Sequence, residues 1–518
     1  MSGLKAPVRR SLSYWWLAMI AACLLSTVGW PSAAQAGSEI LENFQGVTLK
    51  DTIGAPLHSG AIPPDSMGAA GPNDFVQLIN GAFAVYEKNG TLAQPLITDR
   101  NFWIDAGISV GSFPTRDGVT DPRIIYDPSV GRWFAVQLQI MPTGTRNVLV
   151  ARSDSSDPTG HWQASSFVGN TTGFSDFPTL AVDVNGVYIG TNNFTSSGSP
   201  KGVSLFSIPK ADLLGGTPTL TNMTRFDDLS SAHVGSALQG ANDIGGASGA
   251  ILGVDNTLGF IDLTRVSGSG GPGATLSATT KIASLLDGQP NSARQPDGTR
   301  TIATGDNRLS GSVVQIGNLI YMTNNIGDGP TPGATTHDIV HWIVLDATTD
   351  AVLQQGTISD PNFDFFYPSI AANAEGDVVL AFDRSGGPTA GAAGNISAYA
   401  AVGTTTNGIL TFGTPFLLQS GLVDDYHLVD AANINRWGDY SATTVDPNDP
   451  FDFWTVQEIP IFPAANGQSR WATWVTEIEV TVPEPSTSSL MGLGLLGLAV
   501  LRRSGSWTRH ARGTRSPR

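Results

Sequence analysis

The feature that most constrains this chain is a unit of three or four short strands that recurs along its length. Each unit opens with an acidic residue, continues with an apolar strand, turns at a Gly or an Asp-Pro pair, and then enters a bulkier, aromatic strand. In the clearest copy, Asp121 precedes a strand at 122–126, a turn at 127–131, and strands at 132–136 and 147–151. Antiparallel units of this kind cannot bury both faces alone, so they stack into solenoids or propellers.

Unit starts recur from Asp65 to Asp439 at a mean spacing of about 62 residues. The spacing exceeds the roughly 40–45 residues of the commonest propeller repeat, which leaves room for long loops. The remaining starts are Asp121, Asp176, a poorer one near Asp243, Asp306, and one near Asp364. The sequence therefore predicts an all-β fold, a β-propeller of about seven blades, with six or eight blades as alternatives.

Two β-sandwich domains are the rival interpretation, but no linker-like break divides the middle of the chain. The Gly/Ser-rich stretch 266–273 is interpreted as a loop between strands, and 43–49 as a strand that closes the last blade. Composition agrees with an all-β chain rich in turns, because it has 60 Gly and only 14% charged residues, against about 25% in typical soluble domains.

Residues 1–36 are predicted to be a signal peptide. Basic residues at 5–10 precede an apolar run from 14 to 30, and Ala34 and Ala36 supply the small residues that a signal peptidase requires. An uncleaved membrane anchor is the alternative. The single cysteine, Cys23, lies in this segment, so a cleaved chain must be held together without disulfides.

The C-terminal segment carries Pro483-Glu484-Pro485, a Ser/Thr spacer, an apolar run at 490–501, and Arg502-Arg503. The apolar run predicts a short helix, below the roughly 20 residues that span a bilayer comfortably. This order of parts resembles the PEP-CTERM sorting signal of Gram-negative bacteria that secrete exopolysaccharide. The resemblance implies recognition by an exosortase and transient anchoring in the inner membrane. The basic tail 504–518 departs from the usual pattern, in which the chain ends soon after the arginines.

These signals predict a chain organised as a signal peptide (1–36), a β-propeller body (37–482), a sorting signal (483–503) and a basic tail (504–518). Three basic residues lie before residue 37, and six basic residues and one acid lie after residue 482. The body therefore holds 19 Lys+Arg and 43 Asp+Glu, a net charge of −24. Such a body repels phosphate backbones, which argues against nucleic-acid partners. Plain solubility is the favoured explanation of the charge, and divalent cations and neutral or basic glycans are compatible partners.

If each unit's first strand is innermost, the opening acids gather at one mouth of a central channel. They are Asp65, Asp121, Asp176, Asp306 and Asp439. Such carboxylates could bind a cation, or supply an acid and a base if their pKa values separate. The favoured alternative is structural, with each Asp accepting backbone N–H bonds at a strand entrance, because repeat proteins reuse such devices.

Three arginines, Arg123, Arg308 and Arg436, lie close to these acids in sequence. An arginine cluster could bind a carboxylate ligand in bidentate fashion. Pairing between each arginine and a nearby aspartate is the favoured alternative.

An oxygen-rich turn offers the candidate metal ligands Asp446, Asn448, Asp449 and Asp452. Calcium prefers such oxygens, although the EF-hand pattern fails at Pro450. An ordinary inter-strand turn is favoured, so calcium is a candidate and no cofactor is assigned.

Residues 153–162 read Ser-Asp-Ser-Ser-Asp-Pro-Thr-Gly-His-Trp. The stretch resembles the Asp-box turn of sialidases and the Ser-x-Asp-Pro-x-Gly-x-Trp turn of five-bladed glycosidases. In both families the turn is a structural hairpin, so the resemblance implies a propeller and says little about activity.

Two functions follow as hypotheses. The first is an exported, exosortase-sorted protein of the cell surface or extracellular matrix whose propeller binds or scaffolds polysaccharide. The second is a glycan-active hydrolase, sialidase- or glycosidase-like, that uses the channel-mouth carboxylates. Signal peptidase and exosortase are the expected partners during export, with exopolysaccharide as a further partner.

Overall fold

Antiparallel strands make up most of the protein, whose structure is a computed structural model. It describes residues 37–481 except 55, 56, 58, 112–117, 141–145, 256, 258, 285–287, 330–335, 430–433 and 463–469. Within these residues the strands, apart from one short two-stranded pair, fall into seven groups, called units 1 to 7 here. The expectation of an all-β fold is confirmed.

Units 1 to 3 occupy the first half of the body. Unit 1 has β2 Gly68–Ala70, β3 Asp74–Ile79 and β4 Ala82–Glu87. Unit 2 has β5 Val119–Asp127, β6 Arg132–Ile140, β7 Arg146–Ser153 and β8 Trp162–Val168. Unit 3 has β9 Gly173–Asp176, β10 Ala181–Val182, β11 Gly186–Thr195, β12 Pro200–Pro209 and β13 Thr224–Leu229.

Units 4 and 5 form one continuous sheet, because the strand Ser236–Asn242 pairs in parallel with the strand Val313–Ile316. Unit 4 has β14 Ser236–Asn242, β15 Ala250–Val254, β16 Phe260–Ser267, β17 Thr275–Leu276 and β18 Thr280–Ala283. Unit 5 has β21 Val313–Ile316, β22 Leu319–Gly327, β23 Asp338–Asp346 and β24 Val352–Ile358. The short pair β19 Ala293–Arg294 and β20 Thr301–Ile302 lies between them in sequence.

Unit 6 has β25 Phe363–Ala372, β26 Asp377–Gly386, β27 Ser397–Thr406, β28 Ile409–Phe412 and β29 Phe416–Gln419. Unit 7 has β30 Ala442–Val445, β31 Asp452–Ile461 and β32 Arg470–Thr481. The helical segments are short: α1 Leu49–Ile53, α2 Asp99–Asp105, α3 Lys210–Leu214, α4 Ser231–Val234 and a 3₁₀ segment Pro388–Gly394.

The two ends of the body meet in unit 7. Strand β1, Gly37–Thr48, pairs with β32 as the fourth strand of this sheet, and Thr473 Oγ1 donates to the carbonyl of Val47 at 3.0 Å. Unit 7 in turn contacts unit 1, where the N–H of Ala70 donates to Thr444 Oγ1 at 3.1 Å. The predicted closing strand is therefore confirmed, and the units close into a ring, the arrangement of a β-propeller.

The core lies between neighbouring units. Phe134 and Val136 of unit 2, for example, pack with Ile189 and Phe206 of unit 3. Because each sheet is covered on both faces, strands such as Arg132–Ile140 are buried along nearly their whole length instead of alternating between core and solvent. Burial on both faces and ring closure stabilise the body without a disulfide.

The predicted start near Asp364 coincides with the beginning of unit 6 at Phe363, whereas the predicted start near Asp243 differs from the structure. Unit 4 begins at Ser236, so Asp243 follows the far end of β14, where its carboxylate accepts the N–H of Ser248 at 3.1 Å. In unit 6, Asp364 lies inside β25 and pairs with Arg294 at 2.7 Å. Asp243 thus bonds a nearby loop and Asp364 a segment 70 residues away, and the repeat pattern alone does not distinguish these roles from that of a strand entrance.

Candidate functional site

The first strands of the units begin at one end of the ring, called the mouth here, and most of the predicted site residues lie there. Five non-glycine residues at or near these starts have positive φ angles between 47° and 58°: Asp65, Asp121, Phe177, Ala237 and Tyr367. The strand register shifts beside Asp121 and Tyr367, which marks a β-bulge. Each residue in this strained conformation lowers the stability of the fold by about 1–3 kcal/mol. The conformation therefore persists only where surrounding contacts hold it.

Side chains of the preceding unit hold three of these residues with positive φ angles. The N–H of Asp121 donates to Asn80 Oδ1 at 2.9 Å, and the N–H of Phe177 donates to Asp121 Oδ2 at 3.0 Å. The N–H of Ala237 donates to Asn192 Oδ1 at 3.0 Å. Asp121 thus has the structural role weighed in the sequence, and Asn80 and Asn192 play the same part without an acidic signature.

Ion pairs surround the mouth. Arg308 holds Asp306 with two bonds, Nε to Oδ1 at 2.6 Å and Nη2 to Oδ2 at 2.7 Å. Arg436 bonds Asp439 at 2.6 Å, and a third pair joins Asp176 to Arg146. The side chains of the three aspartates are 38%, 44% and 28% exposed for Asp176, Asp306 and Asp439. The mouth therefore presents solvent-accessible carboxylates and guanidinium groups side by side.

A buried floor lies beneath these pairs. The guanidinium of Arg123 sits 3.5 Å from the ring centroid of Tyr440 and 5.0 Å from that of Phe177. Its Nε donates to the carbonyl of Pro178 at 3.1 Å and its Nη1 to that of Ser310 at 2.8 Å. Arg123 is only 3% exposed. The structure thus brings Arg123 and Arg308 together, since Arg308 also lies 4.4 Å from the Phe177 ring centroid.

The carboxyl groups at the mouth differ in acidity. Burial, with the charges of Asp439 and Asp121, raises the pKa of Asp65 well above its ordinary value. Burial and the charge of Asp121 raise the pKa of Asp176 to about 6 despite Arg146. For Asp306 the burial effect is outweighed by Arg308, and its pKa is lowered. The mouth therefore combines the carboxyl of Asp65, which favours its neutral form, with the carboxyl of Asp306, which stays ionised.

Two further buried acids, which the sequence analysis did not single out, lie behind Asp65. Burial raises the pKa of Glu458 well above its ordinary value, with added effects from Asp383 and Asp65, and burial does the same for Asp383. Asp383 Oδ2 accepts the indole N–H of Trp437 at 2.7 Å. One oxygen each of Asp65, Asp383 and Glu458 has no hydrogen-bond partner among the described residues. The sequence signal that could have identified Asp383 and Glu458 is an acidic residue inside an otherwise apolar strand.

The oxygen-rich turn of unit 7 is engaged internally. Asp446 pairs with Lys88 and accepts the N–H of Asn448 at 2.8 Å; Asp449 accepts the N–H of Phe451 at 3.0 Å. Burial, with the charges of Asp449 and Asp446, raises the pKa of Asp452 to about 6. Across the described residues, no group of three or more acidic, His or Cys side chains is arranged to hold a metal ion. Calcium binding stays a prediction.

The turn at 153–162 is a hairpin connection between β7 and β8. Asp157 Oδ1 accepts the N–H of Thr159 at 2.9 Å, and the indole of Trp162 donates to the carbonyl of Pro158 at 2.9 Å. The Trp162 ring packs edge-on against Phe102, with centroids 4.9 Å apart. These contacts stabilise the turn and place no chemistry at the mouth.

The predicted sorting and cleavage residues, Ala34, Ala36, Pro483, Glu484, Pro485, Arg502 and Arg503, lie outside the described residues. In the described part of the chain, no helix is long and apolar enough to cross a membrane. Residues 481–504 match the family model of the PEP-CTERM protein-sorting motif. The chain carries a PEP-CTERM sorting motif. The motif implies an exported, surface-associated protein of a Gram-negative bacterium that an exosortase processes.

No curated protein matches the sequence. Among solved structures, the body is similar to the α-L-arabinofuranosidase Arb93A from Fusarium graminearum, with 10% identity over 84% of this chain and 97% of that chain, at a TM-score of 0.36. It is also similar to a Trypanosoma rangeli sialidase, with 11% identity over 84% of this chain and 60% of that one, at a TM-score of 0.33. Drosophila Plexin A shows 6% identity over 85% and 87%, at a TM-score of 0.35. Similarity at this level carries nothing about activity.

Proposed function

We propose that the protein is a polysaccharide-binding or scaffolding component of the cell surface or extracellular matrix, sorted there by its PEP-CTERM motif. In this proposal each unit is one blade of a seven-bladed propeller, 1–36 is a cleaved signal peptide, and 490–501 forms the short helix that anchors the chain transiently in the inner membrane. The body comprises residues 37–482, and the mouth is its glycan-binding surface.

The observation that carries the proposal is the ring of partly exposed Asp–Arg pairs at the mouth. Carboxylates accept hydrogen bonds from sugar hydroxyls and guanidinium groups donate to them. Three aspartates, Asp176, Asp306 and Asp439, pair with three arginines, Arg146, Arg308 and Arg436, and beneath them the buried Arg123 lies within the field of Asp121. Because these charges balance and Asp65 favours its neutral form, the mouth suits an uncharged glycan better than a polyanion.

The test is retention of the purified full chain on neutral and acidic exopolysaccharides, with and without calcium. We expect Arg308→Gln to lower retention on a neutral glycan, because it removes a donor and leaves Asp306 unpaired. Arg265→Gln is the matched control: Arg265 also forms a two-bond pair, with Asp350, and is 27% exposed against 28% for Arg308. Equal losses in both variants, or retention on none of the glycans, would contradict a binding site at the mouth.

A glycan-hydrolase function is the second candidate, and the unequal acidity of the mouth carboxyls favours it. Carboxyl groups with separated pKa values are what a general acid and its partner require. Asp176, with a pKa of about 6 and a side chain 38% exposed, is the accessible candidate acid. New reducing ends during the retention assay that disappear in Asp176→Asn and persist in Arg265→Gln would establish hydrolysis. Retention without new reducing ends would leave the binding function.

Sorting is tested separately with a reporter fused to residues 478–518 in a host that has an exosortase. We expect the reporter to reach the cell surface. Replacing Pro483, Glu484 and Pro485 with alanine should retain it in the inner membrane, and continued surface display would contradict the sorting proposal.

A further inference from the structure

A cavity of about 280 Å³ lies at the other end of the first strands, away from the charged mouth. Six of the seven units contribute lining residues from the first strand or the turn that follows it. Most of the lining is apolar, and several positions carry only a methyl group, among them Ala70, Ala371 and Ala442. Because these side chains are small, the converging strands leave open space that larger residues would fill.

Several polar side chains along this cavity are engaged by the protein itself. Asn242 Oδ1 accepts the N–H of Val182 at 3.1 Å, Thr444 Oγ1 accepts the N–H of Ala70, and the carboxylate of Asp446 pairs with Lys88. Gln315 is engaged through only one of its two polar atoms. It is 7% exposed, its Nε2 donates to the carbonyl of Gly317 at 2.9 Å, and its Oε1 has no partner among the described residues.

We propose that this cavity binds a small, uncharged, mainly apolar ring compound that carries one hydrogen-bond donor. An apolar cavity of about 150 Å³ holds one benzene ring, so about 280 Å³ has room for a fused two-ring molecule. A charged ligand would lose its hydration without gaining an ionic partner, which is costly. The Oε1 of Gln315 has almost no exposed surface with the cavity empty, so its amide would turn toward the cavity to accept a ligand O–H or N–H group. This site is separate from the glycan surface at the mouth.

The proposal is tested by titrating the full chain with 2-naphthol and, in parallel, with naphthalene, which lacks the donor. We expect saturable binding of 2-naphthol at one site. Gln315→Leu should reduce the preference for 2-naphthol over naphthalene by about fivefold, the usual worth of one hydrogen bond. Naphthalene binding should persist in this variant, which gives a readout that loss of folding would not mimic.

Access is tested with Ala374→Trp, because Ala374 is an exposed residue on the cavity rim. We expect 2-naphthol binding to weaken at least tenfold. Ala351→Trp is the matched control, since Ala351 is exposed in the turn between β23 and β24. No 2-naphthol binding by the parent chain, unchanged binding in Ala374→Trp, or an unchanged preference in Gln315→Leu would each overturn the proposal. A failure here leaves the glycan proposal untouched, because that test uses different variants and ligands.

Discussion

The carboxylate of Asp121 in unit 2 accepts a hydrogen bond at 3.0 Å from the backbone N–H of Phe177 in unit 3. Both residues have left-handed backbone, with φ of 58° and 50°. Phe177 is 2% exposed, so water cannot readily replace this acceptor. One side chain therefore couples two strained strand entrances across a boundary between units.

Removing this acceptor should destabilise the body. We expect Asp121→Ala to lower the free energy of unfolding by about 1–3 kcal/mol, because it leaves a buried N–H unsatisfied. Asp121→Asn keeps a side-chain oxygen and should lose less. Urea unfolding measures the change, with the exposed Asp105→Ala as control. Equal stability of Asp121→Ala and the control would show that Phe177 does not depend on this bond.

The buried acids Asp65, Asp383 and Glu458 should make the protein less stable as the pH rises. Their folded pKa values are raised, so at pH below about 4 both states are protonated and no difference arises. Above that pH the unfolded carboxyls ionise while the folded ones keep their protons. Each group then costs up to about 1.4 kcal/mol per pH unit until its folded pKa is reached.

Denaturant unfolding between pH 5 and 8 measures this slope. We expect a shallower decline in Glu458→Gln than in the parent chain, because one of the carboxyl groups that contribute to the slope is removed. Glu39→Gln, at an exposed position of β1, should keep the parent slope. A parent chain whose stability is constant over this range, or rises, would contradict neutral buried acids.

Ring closure by β1 should be essential for the folded body. A chain that begins at residue 49 lacks the strand that covers β32 and leaves Thr473 and the edge of β32 without their partners in β1. We expect this chain to aggregate, because exposed strand edges pair with other chains, whereas a chain that begins at residue 37 should elute as a discrete species. Light scattering during gel filtration separates the two outcomes, and a stable, monodisperse truncated chain would show that closure is dispensable.

The repeat pattern predicts the fold well because each strand unit is local in sequence. Turn chemistry is equally local: Asp127 accepts the N–H of Ser129 at 2.9 Å and Gly131 has a φ of 60°, as expected for the turn at 127–131. The aromatic residues at strand positions pack inside the body; Trp133 and Trp454, for example, are fully buried. These features follow from strand periodicity and turn preference alone.

The site is harder to predict, because its contacts join residues from different units. Asp121 was interpreted as a strand-entrance acceptor, yet the equivalent acceptors Asn80 and Asn192 are not acidic, so a search for recurring aspartates cannot find them. Glu458 and Asp383 become neighbours only through the packing of β31 on β26. The acidity differences at the mouth depend on this burial, which no spacing rule encodes.

Arg123 joins four units, which makes it the most demanding position on the floor of the mouth. It lies in unit 2, donates to Pro178 of unit 3 and to Ser310, which precedes the first strand of unit 5, and stacks on Tyr440 at the entrance to unit 7. A lysine has neither the planar fork nor the flat face, so it cannot reproduce both carbonyl bonds and the stacking.

We expect Arg123→Lys to lower the free energy of unfolding by about 2–3 kcal/mol, the worth of a buried hydrogen bond to a charged group plus lost cation–π contact. Arg265→Lys, at a partly exposed ion pair, should cost less than about 1 kcal/mol. Similar losses in the two variants, measured by urea unfolding, would show that the units are not held together through the guanidinium of Arg123.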